Sequence, residues 1–282
     1  MIAVVYSGSR FADWRLAEKG KVIAGFKTMG INPYHNDERY ITQVLNKNNS
    51  LINYAERIKK IYFFGAGASS EERKKTVYEA FISFFRYSKV FVEHDMLAAA
   101  LATGGHEQSL VGILGSGSNA AYYDGKKIYE TNYGLGYILA DEGSANWMGR
   151  YLLRNYLSEA LPIDLESKFM SYYPLDRKQI MDKVYRNPNA ALFLSSFADF
   201  VAEQKDHEFV HNMVLEGFHM LFETYFVPLK DKHNFNKINF TGSVAAGYEK
   251  WLRQTAQHYD MEVDVVIKEP IHNLLNYYLN KN

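Results

Sequence analysis

The first thirty residues hold an unbroken apolar run, Ile2–Tyr6, and two further apolar-rich segments at 12–17 and 22–27. This predicts strands at residues 2–6, 12–17 and 22–27, joined by turns at Ser7-Gly8-Ser9 and Glu18-Lys19-Gly20-Lys21. Helical spacing then predicts helices over 37–45 and 50–57. A strand at 60–64 follows, then an amphipathic helix over 71–87 whose first-turn glutamates suit the helix dipole. A strand at 90–93 and a helix at 96–102 complete the order βββαβαβα. That order then restarts. Strands at 110–114, 119–123 and 126–131 form a second meander, followed by a helix over 142–156 and a helical region broken at Pro162, Pro174 and Pro188. Asp206 is placed as the N-cap of a helix reaching Phe226, with Val210, Val214, Phe218, Leu221 and Tyr225 on its apolar face. Residues 228–232 are expected as a polar connector. A strand at 237–241, a helix at 245–259, a strand at 262–267 and a closing helix at 271–279 end the chain.

Two meanders, each followed by parallel crossovers, imply an α/β protein with two mixed sheets, helices alongside and a cleft between them. That is the plan of the actin, Hsp70 and sugar-kinase superfamily, two ribonuclease H-like βββαβαβα domains around a nucleotide cleft; a repeated doubly wound fold is the alternative. Residues 1–109 with the C-terminal 270–282 are expected as the smaller domain. Residues 110–269 form the larger one, with a helical insertion at about 150–230. Composition changes this picture little. The 282 residues are 47% hydrophobic and 23% charged, with a formal net charge of +0, so bulk charge gives no reason to expect nucleic acid as a partner. There is no cysteine, hence no disulfide and no thiolate chemistry, which fits a cytoplasmic protein. No apolar run reaches the length of a membrane span.

The candidate chemistry starts at Gly115-Ser116-Gly117-Ser118-Asn119, a turn between two strands. Its glycines let backbone N–H groups approach an anion such as phosphate, although an ordinary hairpin turn has the same composition. Asp95 and Asp141 each stand where a helix is expected to begin, so each is either an N-cap or a functional carboxylate. Asn32 precedes Pro33 and would suit a turn equally well.

These residues resemble the N-acetylglucosamine kinase and BadF/BadG/BcrA/BcrD-type ATPase family, over nearly the whole chain. Gly115-Ser116-Gly117-Ser118-Asn119 looks like the family's second phosphate loop, G-T-G-S-N. Tyr133-Gly134-Leu135-Gly136 followed by Asp141-Glu142-Gly143-Ser144-Ala145 looks like its G-W-G…G-D-E-G-S-A signature. His94-Asp95-Met96-Leu97-Ala98 matches the segment carrying the catalytic aspartate, and Thr241-Gly242-Ser243-Val244 the segment near adenosine. The resemblance implies ATP-dependent phosphoryl transfer to a small hydroxyl compound, an amino sugar such as N-acetylglucosamine, with Asp95 as general base. It implies ATP and Mg²⁺ as cofactors, with nucleotide held by Ser7, Gly8, Ser9, residues 115–119, Gly242, Ser243 and Val244. Asn32, Gly67, Gly134, Leu135 and Asp141 would contact substrate, and a homodimer is an allowed assembly.

The departures are specific. The family's first phosphate loop is D-S-G-S-T-K-T-D-W; here Asp13-Trp14 keeps the register, but Tyr6 replaces the Mg-linked aspartate. Arg10, Phe11 and Ala12 replace threonine, lysine and threonine, and Leu135 replaces the tryptophan of G-W-G. Two outcomes stay open: an enzyme that binds nucleotide weakly and differently, or a pseudokinase or sugar sensor that kept the fold. A separate motif, His207-Glu208-Phe209-Val210-His211, has the H-E-x-x-H spacing of zinc proteases. The extended form lacks its third ligand here, so a capped helix with surface histidines is the favoured reading and no metal ligand set is assigned.

Overall fold

The computed structural model describes residues 1–8 and 10–281, and the chain divides into two units. Unit 1 comprises Met1–Glu107, Gly125–Lys127 and the chain from Glu269 onward; unit 2 comprises Gln108–Asp124 and Ile128–Lys268.

Unit 1 opens with β1 (Ile2–Ser7), β2 (Phe11–Glu18) and β3 (Lys21–Met29), an antiparallel meander. Helices α1 (Glu38–Asn46) and α2 (Asn49–Tyr54) lead to β4 (Lys60–Gly65), then α3 (Glu71–Phe84), β5 (Lys89–His94) and α4 (Asp95–Thr103). β4 pairs in parallel with β1 and β5 with β4, giving the sheet order β3-β2-β1-β4-β5. Trp14 anchors this core. It is fully buried, stacks on Phe81 at 5.8 Å between centroids, and its indole N–H donates to Thr28 Oγ1 at 3.1 Å.

Unit 2 repeats the plan with β6 (Ser109–Leu114), β7 (Ser118–Tyr123) and β8 (Ile128–Glu130). Then come α5 (Gly136–Leu139), α6 (Ala145–Leu157), α7 (Ile163–Tyr172), α8 (Arg177–Tyr185), α9 (Ala190–Ser195) and α10 (Ala198–Glu203). Next are α11 (Glu208–Leu221), one π-helical turn (Phe222–Phe226) and α12 (Val227–His233). The unit ends with β9 (Lys237–Thr241), α13 (Ser243–Gly247), α14 (Glu249–His258) and β10 (Glu262–Ile267), while α15 (Ile271–Lys281) belongs to unit 1. The sheet order, β10-β9-β6-β7-β8, is the order of unit 1 again, with β9 and β10 parallel to β6. No helix among the described residues is long and apolar enough to cross a membrane.

Four expectations are corrected. The helix placed at 142–156 starts three residues later, at Ala145, because Asp141 (φ 67) and Gly143 (φ 70) turn the chain first. The cap of α11 is His207 and not Asp206: the His207 ring nitrogen accepts from Phe209 N–H at 3.1 Å. Residues 228–232 are helical: α12 continues directly from the π-helical turn Phe222–Phe226, and that wider turn is where the helix accommodates Pro228, which has no N–H to donate. The helix expected over 245–259 is two helices, broken at Tyr248.

Candidate functional site

In unit 1 the candidate residues lie at the C-terminal ends of β1, β4 and β5. Register places Tyr6 beside Phe64 and Ser7 beside Gly65, with His94 next to Gly65 on the other side. Asp95 follows as the first residue of α4, whose N-cap is His94 with no capping side chain. Its carboxylate is therefore not spent as a helix cap. Asp95 Oδ1 lies 2.9 Å from His94 Nε2, and the two side chains are only 15% and 13% exposed. Burial raises the Tyr6 phenol far above its ordinary value, and the negative charge of Asp95 raises it further. The side chain at position 6, where the sequence resemblance implies an aspartate, is thus a neutral phenol. Sequence reasoning named Asp95 and gave His94 no role; the adjacency of the two was the available signal.

The other described residues of the first loop make contacts within unit 1. Ser7 is fully buried, and its hydroxyl donates to Ile31 O at 3.0 Å while accepting from Ile31 N–H at 2.8 Å. That clamp fixes the residue before Asn32. Asn32 Oδ1 accepts from Tyr34 N–H at 3.0 Å, and Gly67 lies directly against the Asn32 side chain. Gly8 N–H donates to Phe11 O at 3.0 Å, closing the hairpin. Ser9 lies outside the described residues. Arg10 stacks its guanidinium 5.2 Å from the centroid of the half-exposed Phe11 ring.

Those contacts decide whether Mg²⁺ fits the first loop. Asp13 pairs with Arg15 and with Lys27 at 3.8 Å, and Tyr6 is neutral, so the loop offers no uncommitted carboxylate for a hard cation. Among the described residues no cluster of three His, Asp or Glu could hold a metal. The H-E-x-x-H motif is no exception: His207 Nε2 lies 3.2 Å from Asp164, and the His211 ring meets Trp251 edge-on at 4.6 Å.

In unit 2 the glycine-serine loop joins β6 to β7 and rests on the start of α6. Gly115 N–H donates to Gly117 O at 3.0 Å. The first N–H groups of α6 donate to the loop itself, Ala145 to Gly115 O and Asn146 to Ser116 O, both at 3.0 Å. Asp141 holds the other side. It accepts from Ser118 N–H at 3.0 Å and from Asn146 Nδ2 at 3.2 Å, and it lies so close to Gly117 that a Cβ there would stand 2.9 Å from both carboxylate oxygens. Burial raises its pKa, opposed by the hydrogen bonds from Ser118 and Asn146. Asp141 caps no helix and fastens the loop.

Its neighbours in the Asp-Glu-Gly-Ser run act in sequence. Glu142 accepts from the buried Tyr225 hydroxyl at 2.5 Å, and Gly143 turns the chain where a Cβ would stand 2.9 Å from Gly217 O. Ser144 caps α6, accepting from Trp147 N–H at 3.3 Å. Gly242 (φ 125) presses on Leu114, where a Cβ would lie 2.2 Å from the carbonyl oxygen. Contact of that kind brings Gly242 and Ser243 beside Gly115, with Val244 buried beneath. Gly134 packs on the Asn119 amide, whereas Leu135 is 58% exposed.

A crystal structure from Porphyromonas gingivalis, described as a putative N-acetylglucosamine kinase, is 32% identical, with a TM-score of 0.93 and 99% of each chain covered. The chain belongs to the N-acetylglucosamine kinase-like family. A second protein of that description, from Chromobacterium violaceum, has a TM-score of 0.72 at 13% identity, covering 98% of this chain and 99% of its own. A Streptomyces griseus ROK-family glucokinase, solved with glucose and AMPPNP, has a TM-score of 0.57 at 12% identity, with 98% of each chain covered. Both share the fold, the actin-like ATPase plan of the sugar kinases. No family model matches the chain, and no curated protein does. In this chain the Asp-Glu-Gly-Ser run and the glycine-serine loop are joined by hydrogen bonds through Asp141 and the first N–H groups of α6.

Proposed function

We propose that the protein transfers the γ-phosphoryl group of ATP to a hydroxyl of a small amino sugar, with N-acetylglucosamine as the first substrate to test. The observation that carries this reading is Asp95: a carboxylate at the end of a parallel strand, uncommitted to helix capping, with His94 Nε2 2.9 Å away. In the reaction the sugar oxygen attacks the γ-phosphorus while the bond to the β–γ bridging oxygen breaks, and ADP leaves with the electron pair. The hydroxyl proton passes to Asp95. Such a reaction asks the protein mainly for positioning and charge stabilisation. Residues 115–119 and 242–244 would supply the backbone for the nucleotide, and Asn32 and Gly67 would line the sugar position. Mg²⁺, when bound to ATP, would neutralise phosphate charge; no step is assigned to a metal ligand in the first loop.

A second reading, a sugar or nucleotide sensor without turnover, is favoured by Tyr6 alone, because a neutral phenol cannot hold a cation beside the phosphates. A thermal-shift panel separates ligand binding from its absence, since ligands that bind only the native state raise the midpoint by mass action. ATP and N-acetylglucosamine should each raise it. No shift with any nucleotide would remove support from the kinase reading.

A further inference from the structure

A feature that phosphoryl transfer does not explain is a groove of about 510 Å³ in the helical insertion of unit 2, formed by α5, α6, α8 and α9. That size falls within the range of small-molecule sites. Its floor is apolar: Leu153, Leu157, Ile180, Val184 and Leu194. Met181 and Tyr185 extend the apolar surface and are 38% and 76% exposed. Among the described residues, three arginines, Arg150, Arg154 and Arg177, are the charged side chains that line it.

The arginines differ in what they do. Arg150 is occupied, donating to Tyr137 O, to Ile138 O at 2.9 Å and to Ala140 O at 3.1 Å. It thereby ties the groove wall to the residue preceding Asp141. Arg154 and Arg177 are exposed, and among the described residues neither pairs with a carboxylate; Arg154 lies over the Tyr151 ring at 5.0 Å. An apolar trough with unpaired guanidinium groups and no acidic side chain is complementary to a ligand with an apolar body and an anionic head. Guanidinium groups grip carboxylates through paired N–H donors.

We infer that this groove binds an amphiphilic carboxylate, a medium-chain fatty acid, with its chain on the Leu153–Leu157 floor and its head at Arg154 and Arg177. Occupancy would be felt at the glycine-serine loop. The groove wall at Tyr137 and Ile138 is held by Arg150, Arg150 holds Ala140, and Asp141 next to it holds Ser118. Ligand binding here stands apart from the kinase reading, because it needs neither nucleotide nor sugar.

Isothermal titration calorimetry with octanoate, below its micellar range, tests the assignment, with octan-1-ol and acetate as controls. Saturable one-to-one binding of octanoate is expected. Octan-1-ol, acetate and the Arg154→Ala/Arg177→Ala double variant should each bind at least tenfold more weakly. Met181→Glu, which puts a negative charge on the exposed rim, should also abolish binding while the fold persists. Octanoate should slow backbone hydrogen exchange at residues 137–141. Equal binding of octan-1-ol, unchanged affinity of the double arginine variant, or no saturable heat would each overturn the inference. Sedimentation showing a dimer that Met181→Glu dissociates, with no octanoate binding, would give the groove to a second copy of the chain and would also overturn it.

Discussion

Asp141→Gly removes the acceptor of one particular backbone amide without straining the chain, since Asp141 sits at φ 67 where glycine is at ease. Ser118 N–H and Asn146 Nδ2, both in residues about 5% exposed, lose their carboxylate partner. An orphaned buried donor costs about 1–3 kcal/mol. At 1.4 kcal/mol per factor of ten, the Ser118 amide should exchange with deuterium roughly 5- to 150-fold faster. Asp141→Ala should be worse by about 1–2 kcal/mol, the cost of a left-handed residue with a Cβ. Asp141→Asn keeps an oxygen facing Ser118 and should leave that amide protected, while losing the bond from Asn146.

The pH dependence has a definite sign. The folded-state pKa of Asp141 is raised, chiefly by burial. Its contribution to stability is therefore fully present below the unfolded carboxylate pKa and is lost as pH rises through the raised folded value. The stability difference between wild type and Asp141→Gly should shrink on going from acid toward neutral pH. Exchange measured by mass spectrometry at residue resolution reads the first effect, and denaturation at several pH values reads the second. Unchanged Ser118 exchange in the glycine variant, or equal acceleration in the asparagine variant, would refute the fastening role of Asp141.

Gly242→Ala meets Leu114 O at 2.2 Å on a backbone at φ 125, so it should lower stability by at least about 1–3 kcal/mol and disturb the neighbouring Gly115 in denaturation and exchange experiments. His207→Ala should cost about 1 kcal/mol as a lost helix cap, and purified wild type should carry no stoichiometric zinc by metal analysis. Tyr6→Asp places two carboxylates in one neighbourhood, so the variant should melt at a lower temperature and recover on addition of Mg²⁺; the wild type should show no such recovery in the same melting assay.

The repeated order of elements was legible because short apolar runs mark the strands and helical spacing marks the helices, from β1 with its buried Ala3, Val4 and Val5 to the apolar face of α11. The site was legible where short motifs name residues: Asp95, the glycine-serine loop and the Asp-Glu-Gly-Ser run. Their roles were less so. Asp141 looks like a cap in sequence because it precedes a helix, and only the turn at Gly143 removes it from that place. Ser7 looks like a ligand hydroxyl, but its partner, Ile31, is twenty-four residues away in sequence. No local pattern records such a bond. The π-helical turn before α12 was hidden in the same way, because Pro228 carries the signature of a break.

The most direct measurement is a coupled assay of ADP release with ATP, Mg²⁺ and N-acetylglucosamine, paired with detection of the phosphorylated sugar. It should be run on wild type and Asp95→Asn after both have been shown to bind ATP with similar affinity. We expect turnover by wild type and a loss of at least about 100-fold in kcat for Asp95→Asn with little change in nucleotide binding, as for removal of a general base. Turnover that survives Asp95→Asn would contradict the role given to Asp95. Nucleotide and sugar binding without any turnover by wild type would contradict the kinase reading in favour of the sensor.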